Sequence, residues 1–482
     1  MFTPEDRPKR AFLQDLVSPG EWNKKLAGLV AANKKSTPIV FLCGPKSSGK
    51  STFGRLLTNR LVTDHGGFKK KPWSTAIVLD LDPGQPEYGP PGVISVNKVS
   101  APILSPPFCH PSGVGSEHSQ LRAHAIAAVS PALDPTHFIE CALDLFSHYK
   151  QSIYNKSPLI INTPGWIQGT GLDILAELVR RITPTEVIYM SREGPEETVE
   201  SLKAVCSSNI PFHALPSQSS ENTPRTPINL RTLQTMSYFH LDWKSVVTSQ
   251  HHTWNPIRLT EMRPWRVRYK GPGRGFVGIL CYDHQPAPDL LMEAINGMIL
   301  ALVKVEDKAA FRNLLDSSSP DGITWTAEGI PLIQNGLGRT LDPRHSQTLG
   351  LVLIRGIDNK RGELQLLTPL PAAEVIAAEE AAGKENSSLV LVAGKFDTPT
   401  WAYAEDLYWR ASSGVGAVGQ DAASESDEEE EGDYVEEKGP LSQGLKPGDE
   451  LESLPWVETL HGSQKRSVGS RVWRVRRDLG RN

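Results

Sequence analysis

Gly44-Pro-Lys-Ser-Ser-Gly-Lys-Ser-Thr52 is the stretch of this sequence that decides its fold. The apolar run 38–43 precedes it, and apolar residues recur at helical spacing from Phe53 to Leu61 behind it. Glycines allow backbone N–H groups to turn inward around phosphate groups, and the N-terminus of a following helix favours an anion. The stretch therefore predicts a P-loop between a buried strand and a helix, built to hold the phosphates of ATP or GTP.

Each position of the predicted P-loop has an expected role. Lys50 is expected to reach the β and γ phosphates, and the Ser51 hydroxyl is expected to ligate Mg²⁺. The predicted phosphate cradle consists of Gly44, Pro45, Lys46, Ser47, Ser48, Gly49, Lys50, Ser51 and Thr52. A glycine turn beside a surface lysine is the alternative, and the flanking strand and amphipathic helix make it the weaker interpretation.

Residues 37–262 are predicted to form one α/β domain around this loop. Its further strands are predicted at 75–80, 159–162 and 187–190, and its further helices at 134–149 and 172–182. Strands that alternate with helices indicate a parallel sheet with crossover connections, and ligands then bind at the carboxyl ends of the strands. A polar, Pro/Ser-rich stretch at 207–224 is predicted to be a loop.

Residues 263–410 are predicted to form a smaller, mostly β domain. Short β-rich runs separated by turn residues lie at 266–269, 276–281, 298–303, 351–354, 364–367 and 389–392. Residues 411–482 are predicted to be a disordered acidic linker and basic tail, because 421–437 hold ten acids and no Lys or Arg. Such a run is either a solvated linker or an interaction segment.

Composition narrows the class of protein. The 482 residues are 39% apolar and 22% charged with a net charge of −4, which is typical of a soluble globular protein. No apolar run approaches the roughly 18 residues that cross a bilayer, and the N-terminus has no secretory pattern. The five cysteines are far apart and have no metal-ligand spacing, which favours a reducing compartment.

Two carboxylates, Asp80 and Asp82, follow the second predicted strand. Carboxylates beside a P-loop can position Mg²⁺ or accept a proton from a nucleophile, although an Asp at a strand end is often only a turn residue or a helix cap. The Gly-rich loop 162–171 follows the third predicted strand and is expected at the same sheet edge. Its Trp166 is either a core plug or a platform on which a base stacks, and the residues alone leave both open.

Together these segments resemble one family, the P-loop polynucleotide 5′-hydroxyl kinases of eukaryotic RNA processing, and within it the branch that acts on pre-rRNA in fungi. The similar segments cover most of residues 10–410 and are 44–53, 80–87, 163–171, 233–240, 294–297, 354–357 and 394–403. The resemblance implies transfer of the γ-phosphate of ATP, with Mg²⁺, to the 5′-OH of RNA.

The resemblance also implies catalytic roles for particular residues. Asp82 is expected to be the general base and, with Ser51, to organise Mg²⁺, while Asp80 is the second choice for the base. Lys50 is expected to hold the transferred phosphate. The segment 93–110 resembles a clasp that frames the RNA end.

Substrate contacts are implied in the same way. Trp166 is expected to stack on the RNA, Gln85 and Gln168 are expected to contact the RNA, and Gln85 is also expected to support the loop of Asp82. Arg231 is expected to close on the nucleotide phosphates, with Arg225 as the weaker candidate. For both arginines the alternative is a solvated surface charge.

The matched branch works with a HEPN-type endonuclease that leaves a 5′-OH end during removal of the ITS2 spacer. The tail that contains Trp456 and Trp473 resembles the segment that engages this nuclease, and a basic nuclear-import or RNA-binding tail is the alternative. Nuclear, nucleolar localisation is therefore expected. Members of the family usually carry a β-rich domain ahead of the P-loop, so residues 1–36 are interpreted as a lead-in and a remnant of such a domain.

Three functions compete at this point. An ATP-dependent RNA 5′-kinase is favoured because the P-loop and acidic residues are intact. A non-catalytic ATP-binding scaffold subunit of an RNA cleavage complex is the alternative. A GTPase switch is weaker, because no Asn-Lys-x-Asp motif follows the later strands.

Overall fold

The computed structural model describes residues 18–405, except 34–35, 65–74, 112–117, 153–156, 193, 207–208, 219–225, 243–251, 313, 315–321, 336–337, 381–387 and 403–404. The predicted tail residues Trp456 and Trp473, and Arg225, lie outside the described residues. Among the helices that are described, none combines the length and the apolar character needed to cross a membrane.

Along the chain, an α/β region comes first and a mostly β region follows it. The helices are α1 (Gly20–Asn33), α2 (Lys50–Thr63), α3 (Pro135–Ser152), α4 (Thr170–Ile182), α5 (Glu196–Cys206), α6 (Pro227–His240), α7 (Leu291–Ile295) and α8 (Ala372–Glu380). The strands are β1 (Ile39–Cys43), β2 (Ala76–Asp80), β3 (Val93–Val99), β4 (His118–Ala125), β5 (Leu159–Asn162), β6 (Glu186–Met190), β7 (Phe212–Leu215), β8 (Trp265–Arg268), β9 (Ile279–Cys281), β10 (Ile299–Val305), β11 (Ile323–Trp325), β12 (Pro331–Ile333), β13 (Ser346–Asp358), β14 (Glu363–Leu367) and β15 (Leu389–Ala393).

The first sheet has seven strands in the order β4-β3-β2-β5-β1-β6-β7. Strands β2, β5, β1, β6 and β7 are parallel, so the predicted α/β class is confirmed. Strands β3 and β4 pair antiparallel at one edge, within and beyond the segment interpreted as a clasp. The connection from β2 to β3 contains no helix, whereas parallel neighbours are usually joined through one.

Residues 207–224 were predicted to be a loop, and this is partly wrong. Phe212–Leu215 forms the edge strand β7 beside β6. Only Leu215 of this strand is buried, and the strand lies between Pro211 and Pro216. An edge strand with so little buried apolar surface leaves no apolar run that a sequence pattern could detect.

Helices cover both faces of the first sheet. Helices α3, α4 and α5 pack on one face, and α1 and α2 pack on the other. Helix α1 lies in the stretch interpreted only as a lead-in. Its Trp22, Leu26 and Leu29 are buried at helical spacing, which is an amphipathic signal that the sequence does contain.

The second sheet has eight mixed strands in the order β11-β12-β9-β15-β10-β13-β14-β8, which confirms the mostly β character of this region. Its strands include every predicted run together with the two short strands β11 and β12. One face shares a hydrophobic core with β4 and α6, and the Tyr238 hydroxyl accepts a hydrogen bond from the Leu351 N–H at 2.8 Å. The predicted boundary at 262–263 lies between α6 and β8, and the two sheets form one compact unit across it.

Candidate active site

The P-loop lies between β1 and α2, as predicted. Gly44 and Gly49 have φ angles of 142° and 94°, which favour glycine. A Cβ on Gly44 would lie 2.9 Å from the Met190 carbonyl oxygen, and a Cβ on Gly49 would lie 2.8 Å from the Trp22 ring. Both glycines are therefore required by backbone conformation and by close packing.

Lys50 begins α2 and is almost fully buried, with 6% of its surface exposed. Its Nζ donates hydrogen bonds to the carbonyl oxygens of Gly44 at 3.0 Å and Pro45 at 2.8 Å. Burial lowers the pKa of Lys50, and the nearby Asp82 carboxylate partly offsets this. The ammonium group is thus held over the loop, where it can contact a phosphate.

Hydroxyl groups complete the phosphate cradle. Ser51 is exposed and Thr52 is half-buried at the start of α2. Within the described residues the buried Ser48 Oγ has no hydrogen-bond partner. An orphaned hydroxyl beside inward-facing backbone fits an oxygen-rich ligand such as a nucleotide phosphate.

Asp80 ends β2 and both of its carboxylate oxygens are occupied. Oδ2 accepts the Glu87 N–H at 2.5 Å, and Oδ1 accepts the Asn162 side-chain amide at 3.1 Å. Burial raises the pKa of Asp80 to about 7, and the negative charges of Asp82 and Glu87 contribute to the rise. Asp80 is therefore suited to holding the loop after β2 and the end of β5 rather than to meeting a substrate.

Asp82 has a different environment two residues later. Its Oδ1 accepts the N–H groups of Gly84 at 3.0 Å and Gln85 at 3.1 Å, which form an Asx turn. Within the described residues its second oxygen, Oδ2, accepts no hydrogen bond. Burial raises the pKa of Asp82, against the effect of these N–H groups and of Lys50. A half-buried carboxylate with one open oxygen can accept a proton or bind a metal ion.

The loop that follows β5 lies directly against the P-loop. The Thr163 hydroxyl donates to the Leu42 carbonyl oxygen at 2.8 Å. A Cβ on Gly165 would lie 2.7 Å from Lys46 Cα, so only glycine permits this approach. The structure thereby brings the second predicted loop to the P-loop edge, as the parallel sheet required.

Trp166 is half-buried and packs against the core beneath α4. A Cβ on Gly171 would lie 2.7 Å from Trp166 Cγ, so the ring is fixed by the start of that helix. Trp166 packs on the core but is only partly buried, which is consistent with both predicted roles, a core plug and a platform for base stacking. Gln85 and Gln168 are exposed, and their predicted contacts with RNA stay predictions.

Arg231 lies on α6, where its Nε donates to Asp397 Oδ2 at 2.5 Å. Its expected contact with nucleotide phosphates stays a prediction, and this ion pair would have to open for it. One turn further along α6, the Gln234 side-chain amide donates to the carbonyl oxygens of Pro86 at 2.7 Å and Gly89 at 2.8 Å. Helix α6 is therefore anchored to the loop that carries Asp82.

A buried ion network beside Asp80 was not predicted. Arg55 of α2 donates two hydrogen bonds to the Glu87 carboxylate, at 2.9 and 3.0 Å. His110 Nε2 lies 3.0 Å from the same carboxylate, and the Ser105 hydroxyl lies 3.0 Å from His110 Nδ1. Burial would raise the pKa of Glu87, but the His110 hydrogen bond and the Arg55 charge outweigh it and lower the pKa. Arg55 and Glu87 are 32 positions apart and Glu87 and His110 are 23 positions apart, so no local sequence pattern predicts this network.

A metal would be held by few protein ligands. Among the described residues, no group of three or more His, Cys, Asp or Glu side chains could hold one. Ser51 and Asp82 supply a hydroxyl and a carboxylate. This donor set fits Mg²⁺, which is usually held by one or two protein oxygens together with substrate phosphates and waters.

A parallel sheet with a P-loop, an adjacent carboxylate and a second glycine loop defines a P-loop nucleotide-binding protein. Residues 44–241 match the family model for the P-loop of the mRNA cleavage and polyadenylation factor CLP1. A solved structure of Clp1p, described with its Pcf11p interface and with ATP loss in a point mutant, has a TM-score of 0.51 and 16% identity. It covers 77% of this chain and 79% of that chain, which supports the fold alone.

Curated relatives narrow the class further. The polynucleotide 5′-hydroxyl-kinase GRC3 of Gibberella zeae is 46% identical over 490 residues, covering 100% of this chain and 66% of that protein. The grc3 kinase of Emericella nidulans is 34% identical over 526 residues, covering 100% of this chain and 63% of that protein. The chain thus spans slightly less than two thirds of the length of these relatives. Over its whole length it is similar to these P-loop polynucleotide 5′-hydroxyl kinases.

Proposed function

We propose that this chain is an ATP-dependent kinase that phosphorylates the 5′-OH ends of RNA. The observation that carries the proposal is that the buried P-loop lysine lies near enough to Asp82 to act on its charge, while Asp82 keeps one carboxylate oxygen open. A second support is the Gly165–Trp166 loop, which lies against the P-loop and exposes part of an aromatic ring. The names of the similar curated kinases agree with this chemistry.

In the proposed reaction the RNA 5′-oxygen attacks the γ-phosphorus of ATP. A bond forms between these atoms, the bond from the γ-phosphorus to the β–γ bridging oxygen breaks, and ADP leaves. The hydroxyl proton passes to Asp82 Oδ2. Lys50 stabilises the negative charge on the transferred group, and Mg²⁺, when bound, would neutralise phosphate charge beside Ser51 and Asp82.

Asp80 is assigned a positioning role in this scheme. Both of its oxygens already accept hydrogen bonds, from Glu87 and Asn162. It fixes the strand end from which Asp82 projects and has no open oxygen for the substrate. This makes Asp82 the preferred general base of the pair.

The biological setting is also a proposal. We assign the chain to pre-rRNA processing at the ITS2 spacer in the nucleolus, in a complex with a HEPN-type endonuclease that generates the 5′-OH end. The similarity to kinases named GRC3 supports this setting. The tail residues Trp456 and Trp473 would engage the nuclease, and they lie outside the described residues.

The test is transfer of labelled γ-phosphate from ATP to a 5′-OH RNA oligonucleotide. We expect transfer by the unaltered chain, loss in Lys50→Ala and in Asp82→Asn, and retention of a substantial part in Asp80→Asn. No transfer above the Lys50→Ala background, with ATP still bound after purification, would replace the kinase by the scaffold function. Equal loss in both aspartate variants would refute the assigned division of roles.

A further inference from the structure

Residues 263–274 form an unusually basic segment at the edge of the second sheet. The sequence Arg-Pro-Trp-Arg-Val-Arg-Tyr-Lys-Gly-Pro-Gly-Arg contains five cations and no acid. Strand β8 lies within it and is the outermost strand of the described sheet, paired only with β14. One face of this strand is open to a ligand, whereas its outer backbone edge is partly occupied, because the Arg268 carbonyl oxygen accepts the Gly275 N–H at 3.0 Å.

Side chains alternate along β8 as expected for a half-buried strand. Trp265 and Val267 pack against the core, whereas Arg266 and Arg268 are exposed. Side chains two positions apart on one strand face are about 6.6 Å apart. The two guanidinium groups thus form a regular pair of positive charges on one face.

Three other side chains extend this charged strip. Arg263 precedes the strand and is exposed. Arg274 lies 4.9 Å from the ring centroid of Trp325, and that ring is 49% exposed. An arginine stacked on an accessible aromatic ring is a combination that contacts nucleic acid bases.

One acid lies beside the strip, and within the described residues it forms no ion pair with the strip's arginines. Glu363 faces Arg268 across the strand pair, and the neutral Gln365 faces Arg266. Within the described part of the chain, neither Arg266 nor Arg268 forms an ion pair, and the same holds for Arg263. The charges are therefore available to an external anion.

We propose that this basic edge, defined as Arg263, Arg266, Arg268, Arg274 and Trp325, binds the backbone of the RNA substrate away from the phosphate-transfer site. The inference rests on the proposed function, because RNA is the polyanion that the chain would bind as its substrate. RNA is favoured over an acidic protein segment because the cations are accompanied by a stacked, exposed aromatic ring. The basic edge would add affinity for long RNA without contributing to the chemistry.

The test is the salt dependence of RNA binding without ATP, measured by fluorescence anisotropy with a labelled single-stranded oligonucleotide. Each phosphate contact to a single strand contributes about 0.7 to the slope of log K against log salt concentration. Arg266→Gln/Arg268→Gln should lower the slope by about 1.4. If the contribution of these two phosphate contacts falls to zero at about 1 M salt, the variant should bind RNA about 25-fold more weakly at 0.1 M salt and about 10-fold more weakly at 0.2 M salt.

Two matched variants control for folding and for total charge. Arg266→Lys/Arg268→Lys keeps both charges and should restore most of the slope. Arg180→Gln/Arg181→Gln removes two exposed arginines from α4, whose side chains are 58% and 59% exposed, and should leave the slope unchanged. Thermal melting verifies that each variant is folded.

Several outcomes would overturn the proposal. An unchanged slope with increased aggregation would mean that the arginines only protect an edge strand from pairing. Polyglutamate that binds the basic edge more tightly than RNA of equal charge would identify an acidic protein segment as the partner. Failure of the kinase function is separately visible, because it abolishes labelled transfer to the shortest acceptor and leaves this binding comparison intact.

Discussion

Replacing Asp80 with Asn tests how burial affects a carboxyl group of the site. Burial disfavours the ionised form of this group. Its pKa is raised to about 7 inside the protein, mainly by burial. Asn has nearly the same shape and no proton to lose. Its oxygen can accept the Glu87 N–H, and its amide can donate to Asn162 Oδ1, which has no partner among the described residues.

The magnitude follows from proton linkage. An unfolded Asp titrates near its ordinary value of about 3.9, so between about pH 4 and pH 7 the folded chain binds one more proton than the unfolded chain. Stability therefore falls by about 1.4 kcal/mol per pH unit across this window, to a total on the order of 4 kcal/mol. Below the window both states are protonated, and above it both are ionised, so the Asp80 contribution is flat on either side.

Asp80→Asn removes this slope. We expect the stability of the variant, relative to the unaltered chain, to improve by about 2–3 kcal/mol between pH 5 and pH 7. The assay is urea unfolding at pH 5, 6, 7 and 8, followed by tryptophan fluorescence. Because remote groups titrate equally in both proteins, the difference between them isolates residue 80 and the carboxylates coupled to it, Asp82 and Glu87.

The control is Asp173→Asn, which neutralises an exposed carboxylate in the first turn of α4. The change of the stability difference with pH should be larger for Asp80→Asn than for this exposed position. A difference for Asp80→Asn that stays constant within about 0.5 kcal/mol would refute the reasoning, because it would mean that the folded carboxyl group of Asp80 titrates like an unfolded one.

Two further predictions concern the loop after β5. Trp166→Ala should raise KM for RNA about 5- to 150-fold, the equivalent of one stacked base at about 1–3 kcal/mol, with little change in ATP affinity by calorimetry; equal losses for RNA and ATP would assign Trp166 to core packing. Gly165→Ala should weaken ATP binding by at least about 10-fold, because a Cβ there would lie 2.7 Å from Lys46 Cα and would displace the P-loop backbone. Gly89→Ala is its control, since a Cβ on Gly89 meets nothing within 4 Å, and similar losses in both variants would contradict the steric account.

Local patterns were sufficient to predict the strand, the glycine turn and the helix of the P-loop. The residues from Gly44 to Thr52 are contiguous, and their conformation is fixed by the strand and helix on either side, so a short sequence predicts it. Six of the eight strands of the second sheet were likewise visible as separate β-rich runs, and β11 and β12 were not. By contrast, β7 has a single buried residue, and helix α1 was missed although Trp22, Leu26 and Leu29 mark its buried face.

Long-range contacts explain what the sequence did not predict. Arg231 meets Asp397 only because the second sheet packs beside α6. Gln234 reaches the Pro86 carbonyl oxygen across 148 positions of sequence. Sequence separation and residue type do not predict such contacts, because they depend on how the two sheets pack together.

The Arg55–Glu87–His110 network links the helix that follows the P-loop to the segment interpreted as a clasp. Arg55 follows the P-loop on α2, Glu87 lies in the loop between β2 and β3 that also carries Asp82, and His110 ends the segment interpreted as a clasp. Removing one partner of a buried ion pair typically costs about 3–5 kcal/mol, since the other charge is left uncompensated. The 28% exposure of the Arg55 side chain places this pair at the lower end of that range. The position of the clasp segment is therefore coupled through one carboxylate to the helix that carries Lys50, and a motif that specifies only the phosphate cradle contains no trace of that coupling.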